Sequence, residues 1–120
     1  MRVLVIDDNA DLCANLRAGL EIEGYEVLTA SNGEQGLKQL ARHKVDAVVT
    51  DLFMPDKDGI ETIVALRERF PDLGIIAMSG RLGATYLPVA QEIGAAAVLT
   101  KPFPLAELVS ALRRLESSDP

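Results

Sequence analysis

The sequence has no tryptophan, a single cysteine and fewer basic than acidic side chains, and each shortage narrows what the chain can do. Cys13 has no partner for an internal disulfide, which predicts a reducing, cytoplasmic setting. The net charge of -6 argues against direct nucleic-acid binding, because affinity for phosphate backbones comes largely from clustered Lys and Arg. The apolar runs are far shorter than the roughly 20 residues needed to cross a bilayer, so we expect no membrane segment.

The 120 residues that are present fit one domain. Apolar residues make up 48% and charged residues 25% of the chain, which is typical of a globular protein whose core needs no disulfide or structural metal. We expect the domain to occupy residues 1–116. Residues 117–120, Ser-Ser-Asp-Pro, are then a polar tail or the start of a linker.

Short apolar, β-branched runs alternate along the chain with longer segments of helical period. The predicted strands are 2–6, 26–29, 46–50, 73–77 and 97–100, and the predicted helices are 10–23, 33–42, 60–69, 86–93 and 104–116. Nearly continuous apolar side chains in the first, third and fourth strands indicate a parallel sheet buried on both faces. Five βα units with right-handed crossovers predict an α/β fold, a doubly wound (βα)5 sheet with strand order 2-1-3-4-5.

Several helix ends have recognisable capping residues. Gly24 is expected to terminate the first helix, and residues 31–34 (Ser-Asn-Gly-Glu) resemble a capping box for the second. Thr85 is the predicted cap of the fourth helix, because Pro88 fits only within a first turn. Pro104 suits the first turn of the last helix.

Polar side chains stand where the predicted strands end. Asp7 and Asp8 follow the first strand, Asp51 the third, Ser79 the fourth and Lys101 the fifth. With the order 2-1-3-4-5 these ends lie along one rim of the sheet, where such folds bind ligands. Three neighbouring carboxylates repel one another and need a proton or a cation, and their oxygens suit Mg²⁺.

This set of residues is sufficient for phosphoryl transfer. Asp51 can attack as a carboxylate nucleophile, while Lys101 and Ser79 stabilise charge on the phosphoryl oxygens. Taken singly, each residue has an ordinary interpretation: a helix cap, a turn residue or a solvated lysine. Their joint position at the strand ends of one sheet favours the functional interpretation.

Four motifs carry a family resemblance: VLVIDDN at 3–9, DLFMPDKDG at 51–59, MSG at 78–80 and LTKPF at 99–103. With them, essentially the whole chain resembles a response-regulator receiver domain of bacterial two-component signalling, of the single-domain, chemotaxis-regulator-like kind. The resemblance implies a flavodoxin-like fold. It also implies a phosphoryl donor, which is a phosphohistidine on a sensor histidine kinase or a histidine phosphotransfer protein.

The resemblance also implies roles for individual residues. Asp51 would be the phosphoacceptor. Asp8 and Asp51 would bind Mg²⁺ directly, together with the backbone carbonyl of Phe53, and Asp7 would bind it through water. Lys101 would contact the phosphoryl group and Ser79 would move toward it. The changed surface would reach a downstream protein through the face made by the fourth helix, fifth strand and fifth helix.

The chain departs from the family pattern three positions before the lysine, where receivers usually carry an aromatic residue and this chain has Val98. We therefore expect a loop or helix rearrangement to carry the signal. Tyr86 is either a substitute aromatic or simply a half-buried residue at a helix start. Phe53 and Arg81, two residues beyond the acceptor and the switch serine, predict slow loss of phosphate.

Three alternatives remain open at this point. A degenerate receiver would bind partners without being phosphorylated. A haloacid-dehalogenase-type phosphatase uses a similar residue set but requires a second aspartate at the position of Phe53. If the chain is a receiver, we expect it to catalyse no reaction other than its own phosphorylation and dephosphorylation. A flavin-binding module would carry a Ser/Thr/Gly-rich loop where Asp7 and Asp8 stand. His43 and Cys13 are expected to have no chemical role.

Overall fold

A computed structural model describes residues 1–52, 59–80 and 86–117, and within them strands and helices alternate. The strands are β1 (Arg2–Ile6), β2 (Glu26–Ala30), β3 (Ala47–Asp51), β4 (Gly74–Ser79) and β5 (Ala97–Thr100). The helices are α1 (Ala10–Ile22), α2 (Gly33–Arg42), α3 (Gly59–Arg69), α4 (Leu87–Glu92) and α5 (Leu105–Ser117).

The strands form one parallel sheet in the order β2-β1-β3-β4-β5. This confirms the predicted α/β fold and its strand order. Residues 3–6 of β1 are all 0% exposed, as expected for a strand covered on both faces. Alternate side chains therefore enter different halves of the core: Val3 and Val5 pack in one cluster with residues of α1 and α5, and Leu4 and Ile6 in another with residues of α2, α3 and α4.

The predicted boundaries hold to within a residue or two, which is the usual spread at element ends. The clearest difference is that β3 and β4 run on to include Asp51 and Ser79. These two side chains are thus fixed by strand pairing, Asp51 opposite Met78 and Ser79 opposite Thr100. Gly24 does follow the end of α1, with a φ of 96° that favours glycine.

The predicted capping box of the second helix is wrong by one residue. Asn32 is the cap, and its side-chain oxygen accepts a hydrogen bond from the Gln35 backbone N–H at 2.8 Å. Gln35 in turn accepts hydrogen bonds from the Ser31 backbone N–H and hydroxyl, at 3.1 and 2.7 Å. Ser31 and Asn32 are both good caps, so the residue type alone does not choose between them.

The two C-terminal helices also begin later than predicted. Helix α4 starts at Leu87 after Tyr86, which makes no side-chain capping hydrogen bond, and Pro88 lies in its first turn. The predicted cap Thr85 lies outside the described residues. Pro104 immediately precedes α5, whose last residue is Ser117, and the division of the chain at residue 116 stays a prediction. Within the described residues, no helix combines the length and the apolar character needed to cross a membrane.

Candidate functional site

The carboxyl edge of the sheet brings the predicted site residues to one place. Asp7 and Lys101 directly follow β1 and β5, while Asp51 and Ser79 end β3 and β4. Parallel pairing makes these four positions neighbours along the edge, because every strand ends on the same side. The expected rim of polar residues is therefore present in the structure.

Three carboxylates form an acidic cluster, which we define as Asp7, Asp8 and Asp51. Each offers an oxygen atom, and these oxygens all lie within 4.8 Å of one another. Asp7 and Asp51 are only 1% and 5% exposed. Negative charges this close and this buried are costly unless cations neutralise them. The hard oxygen donors and the excess of negative charge fit Mg²⁺.

The Lys101 ammonium contacts two members of the acidic cluster. Its Nζ lies 2.5 Å from Asp7 Oδ2 and 3.4 Å from Asp51 Oδ2. Burial by itself would lower the pKa of Lys101, but the hydrogen bond to Asp7 and the charges of Asp51 and Asp7 outweigh it. The pKa is therefore raised above its ordinary value of 10.5, and the side chain stays positively charged.

The connection from β1 to α1 fixes Asp7 through several hydrogen bonds. Asp7 Oδ1 accepts from the Asn9 backbone N–H at 2.9 Å, and the Asp7 carbonyl accepts from the Cys13 thiol at 3.4 Å. The Asn9 side chain also caps α1 by accepting from the Leu12 N–H at 3.1 Å. The sequence analysis did not predict these contacts of Asn9 and Cys13, although an Asn directly before a helix is a recognisable cap.

Cys13 and His43 are the two remaining residues with side chains that could react, and their surroundings do not indicate a chemical role. Burial, and then the nearby charge of Asp7, raise the pKa of the Cys13 thiol above 9.0, so the thiol stays protonated and is a poor nucleophile. His43 follows α2, and its backbone N–H donates to the Gln39 carbonyl. That both lack a chemical role stays a prediction.

Ser79 is fully buried at the end of β4. Its hydroxyl donates to the Gly80 carbonyl at 3.3 Å, and its own carbonyl accepts from the Lys101 backbone N–H at 2.7 Å. The second bond ties the β4 end to the residue that bears the ammonium.

Some predicted positions are not described. Phe53 and Arg81 lie outside the described residues, so the proposed metal carbonyl and the slow loss of phosphate stay predictions. Val98 is partly buried against the core cluster that contains Leu87. Tyr86 is 48% exposed at the start of α4, and its role as a substitute aromatic residue stays a prediction.

The fold and the site together define a class: a doubly wound α/β domain with three carboxylates and a lysine at the carboxyl edge of its sheet. The chain belongs to the response regulator receiver domain family, whose match covers residues 3–113. Receiver domains bind Mg²⁺ at an acidic pocket and interact with sensor histidine kinases. They are generally signalling switches rather than enzymes.

Individual relatives agree with this assignment. The chain is 40% identical over 114 residues to the transcriptional regulatory protein PrrA of Mycobacterium tuberculosis, covering 95% of this chain and 49% of PrrA. A response regulator receiver domain protein from Clostridium thermocellum superposes with a TM-score of 0.92 at 30% identity, covering 98% of this chain and 94% of the other.

A third similar protein was solved with a metal ion. Response regulator TrrA of Thermotoga maritima, in complex with Mg²⁺ and BeF, gives a TM-score of 0.86 at 31% identity, covering 95% of this chain and 97% of TrrA. By contrast with these two solved structures, the chain spans about half the length of the curated relatives it matches.

Proposed function

We propose that this receiver domain accepts a phosphoryl group on Asp51 in the presence of Mg²⁺, and that its surface then changes for a protein partner. The donor would be a phosphohistidine on a sensor histidine kinase or a histidine phosphotransfer protein. The observation that carries the proposal is the contact of Lys101 Nζ with both Asp7 and Asp51 inside the acidic cluster. That arrangement supports the proposal, because a carboxylate that could act as the nucleophile lies beside a positive charge and beside oxygen atoms of the kind that bind Mg²⁺.

In the proposed reaction an Asp51 carboxylate oxygen forms a bond to phosphorus. The bond from phosphorus to the donor's histidine nitrogen breaks, and its electron pair stays on the imidazole. The reaction is mainly a matter of positioning and of charge stabilisation. Lys101, 3.4 Å from Asp51 Oδ2, is near enough to pair with a phosphoryl oxygen after a small movement of its flexible stem.

The acidic cluster would hold the metal. Asp8 and Asp51 would be direct ligands, the Phe53 carbonyl a third, and Asp7 would act through water. Bound there, Mg²⁺ supplies positive charge beside the phosphoryl oxygens. Asp8 is the exposed member of the cluster, and can therefore be reached from solvent.

The change of surface would start at Ser79. Its hydroxyl now donates to the Gly80 carbonyl, and donation to a phosphoryl oxygen would release that carbonyl. This change of hydrogen bonding at the end of β4 would then alter the face of α4, β5 and α5. Tyr86 and Val89 are exposed on the α4 part of this face, at 48% and 42%, and can take part in partner binding.

PrrA is named a transcriptional regulatory protein, and we extend the proposal to a partner, or another segment, that acts in transcription. This chain itself carries 18 acidic against 12 basic residues. We therefore propose that the receiver does not contact DNA, because its net charge of -6 disfavours binding to phosphate backbones.

Intact-mass spectrometry tests the proposal. Wild-type protein, Asp51→Ala and Asp72→Asn are incubated with acetyl phosphate, with and without Mg²⁺. Asp72 is an exposed aspartate before β4 and serves as the matched control. We expect a Mg²⁺-dependent phosphoryl adduct on the wild type and on Asp72→Asn, and none on Asp51→Ala.

If acetyl phosphate gives no adduct, a phosphorylated histidine kinase is the second donor to try. An adduct that persists in Asp51→Ala would show that another residue is the acceptor. No adduct from either donor would contradict the proposal and favour the phosphorylation-independent binding module.

A further inference from the structure

Helix α4 is too short to hold its own position. Its six residues, Leu87–Glu92, are well below the roughly 12 residues at which an isolated helix becomes stable in water. The helix runs from the carboxyl edge of the sheet, where β4 ends, to the amino edge, where β5 begins. Its position therefore depends on contacts with neighbouring elements, and those contacts decide which part of the helix can respond to a change at the carboxyl edge.

The end of α4 at the amino edge is tied to the sheet by backbone hydrogen bonds. Gly94, with a φ of 125°, turns the chain out of the helix. The Ala95 N–H donates back into α4, to the Ala90 carbonyl at 2.9 Å. The Ala96 N–H donates to the Ile75 carbonyl of β4 at 2.7 Å. The turn that follows α4 therefore joins the helix to the middle of the sheet.

Arg67 in the last turn of α3 packs against this turn. A Cβ added to Gly94 would lie 2.8 Å from Arg67 Nε and 3.0 Å from its Cγ, so the arginine side chain fills the space beside the glycine. The guanidinium also donates to the Pro71 carbonyl at 2.8 Å and to the Leu73 carbonyl at 2.6 Å. These two bonds, made by a planar group, hold the arginine firmly on the chain that joins α3 to β4.

We infer that Arg67 is a positioning residue for α4: it fixes the amino-edge end of this helix, so that phosphorylation moves only the end at the carboxyl edge. This inference rests on the proposed function, because it assumes that a phosphoryl group on the domain alters α4. A guanidinium that served only to cap α3 could leave its Nε in water. Here Nε is buried beside Gly94 and has no hydrogen-bond partner among the described residues, which is costly. The exposed Tyr86 and Val89 then shift relative to β5, while residues 94–96 stay in place.

Arg67→Met is the variant that tests this role. It keeps an unbranched apolar stem beside Gly94 and removes both hydrogen bonds of the guanidinium. We expect the Ala95 N–H to exchange with solvent about tenfold faster in this variant, because the turn after α4 loses its support. Arg69→Met is the matched control, since Arg69 lies in the same last turn of α3 and is exposed. Its exchange rate should match the wild type.

The decisive measurement maps the amide chemical-shift changes caused by Mg²⁺ and beryllofluoride, a stable analogue of a phosphoryl group. In the wild type and in Arg69→Met we expect changes at Leu87 and Val89 and smaller ones at residues 94–96. In Arg67→Met the changes at residues 94–96 should become comparable in size, whereas a residue that only stabilises the fold would leave the map unaltered. Thermal unfolding verifies that each variant is folded. Arg67→Lys keeps the charge but not the planar fork, and replaces Arg67→Met, with the same expectation, if the latter is unfolded.

Changes that stay at the start of α4 in the wild type and spread to residues 94–96 in Arg67→Met support the inference. Equal changes at both ends of α4 in the wild type overturn it, and so do a wild-type map in Arg67→Met or the same spread in Arg69→Met. Changes in the acidic cluster with none in α4 overturn it as well. In all these cases the acidic cluster still responds and phosphoryl acceptance stands. No response of the acidic cluster in any of the proteins would instead remove the proposed function and the inference together.

Discussion

Gly59 lies at a contact between the start of α3 and the end of β3 that should not tolerate any side chain. Its N–H donates to the Leu52 carbonyl at 3.0 Å. A Cβ added here would overlap the Asp51 carbonyl oxygen and the Leu52 Cα, and would lie 2.9 Å from the Leu52 carbonyl carbon. These are backbone atoms of Asp51, the last residue of β3, and of Leu52, which follows it, so no side-chain rotation can relieve the clash. Gly59→Ala must shift either the helix or Asp51.

The loss in the free energy of unfolding depends on whether the added Cβ displaces backbone or side-chain atoms. Forcing an extra carbon into a packed interior costs about 1–3 kcal/mol, and a backbone contact belongs at the upper end of that range. Removing a glycine also reduces the entropy of the unfolded chain, which gives back about 0.4–1 kcal/mol. We therefore expect Gly59→Ala to lower the free energy of unfolding by about 2 kcal/mol.

Gly80, which directly follows the neighbouring strand β4, provides the matched control. Among the described residues, and apart from its neighbours along the chain, a Cβ added there would meet no heavy atom within 4 Å, and the backbone of Gly80 is outside the left-handed region. Gly80→Ala should therefore stay within about 0.5 kcal/mol of the wild type.

Urea unfolding followed by far-ultraviolet circular dichroism measures both free energies of unfolding, and the absence of tryptophan is no obstacle to it. Phosphorylation by acetyl phosphate adds a functional readout. We expect Gly59→Ala to slow it about tenfold or more, because displacing a reacting group by as little as 1 Å is costly. Equal unfolding free energies for the two glycine variants would refute the reasoning, and so would a Gly59→Ala protein with wild-type stability.

Two further predictions concern the stability of the folded state. Asn32→Ala removes the α2 cap and should lower the free energy of unfolding by about 1 kcal/mol, whereas Asn32→Asp keeps an acceptor for the Gln35 N–H and should cost less. Urea unfolding compares the two, and an equal loss would mean that the cap contributes nothing. The pKa values of Cys13, Tyr25 and Lys101 are all raised, from 9.0, 10.0 and 10.5. The folded state thus binds these protons more tightly than the unfolded state. The free energy of unfolding should therefore keep its full contribution from these groups below about pH 9 and fall as the pH rises further. Unfolding at pH 8 and pH 10 measures this, and equal stability would contradict it.

The sequence pattern is enough to predict the fold because its main signals are local. Continuous apolar runs such as residues 3–6 indicate buried parallel strands, and the helical segments between them have their own period. The α2 cap is misassigned by one residue because Ser31 and Asn32 are equally suitable caps on their own. Gln35 distinguishes them in the structure. Its side-chain oxygen accepts hydrogen bonds from Ser31, while its backbone N–H donates to the side chain of Asn32, which caps the helix.

The sequence also predicts only part of the candidate site: it predicts which residues lie close together, but not which of them form an ion pair. A residue that follows a parallel strand must lie at the carboxyl edge, so the order of residues along the chain suffices to group Asp7, Asp51 and Lys101. Which carboxylate holds the ammonium depends on a difference of less than 1 Å between two contacts, 2.5 Å to Asp7 and 3.4 Å to Asp51. Asp7 is also held near the start of α1, where the Asn9 N–H donates to its Oδ1 and the Cys13 thiol donates to its backbone carbonyl. The resemblance alone gives Asp7 a role toward the metal, whereas its contacts in the structure give it a role toward the lysine. The order of residues along the chain thus predicts which side chains meet, whereas the hydrogen bonds around each carboxylate decide which pair forms.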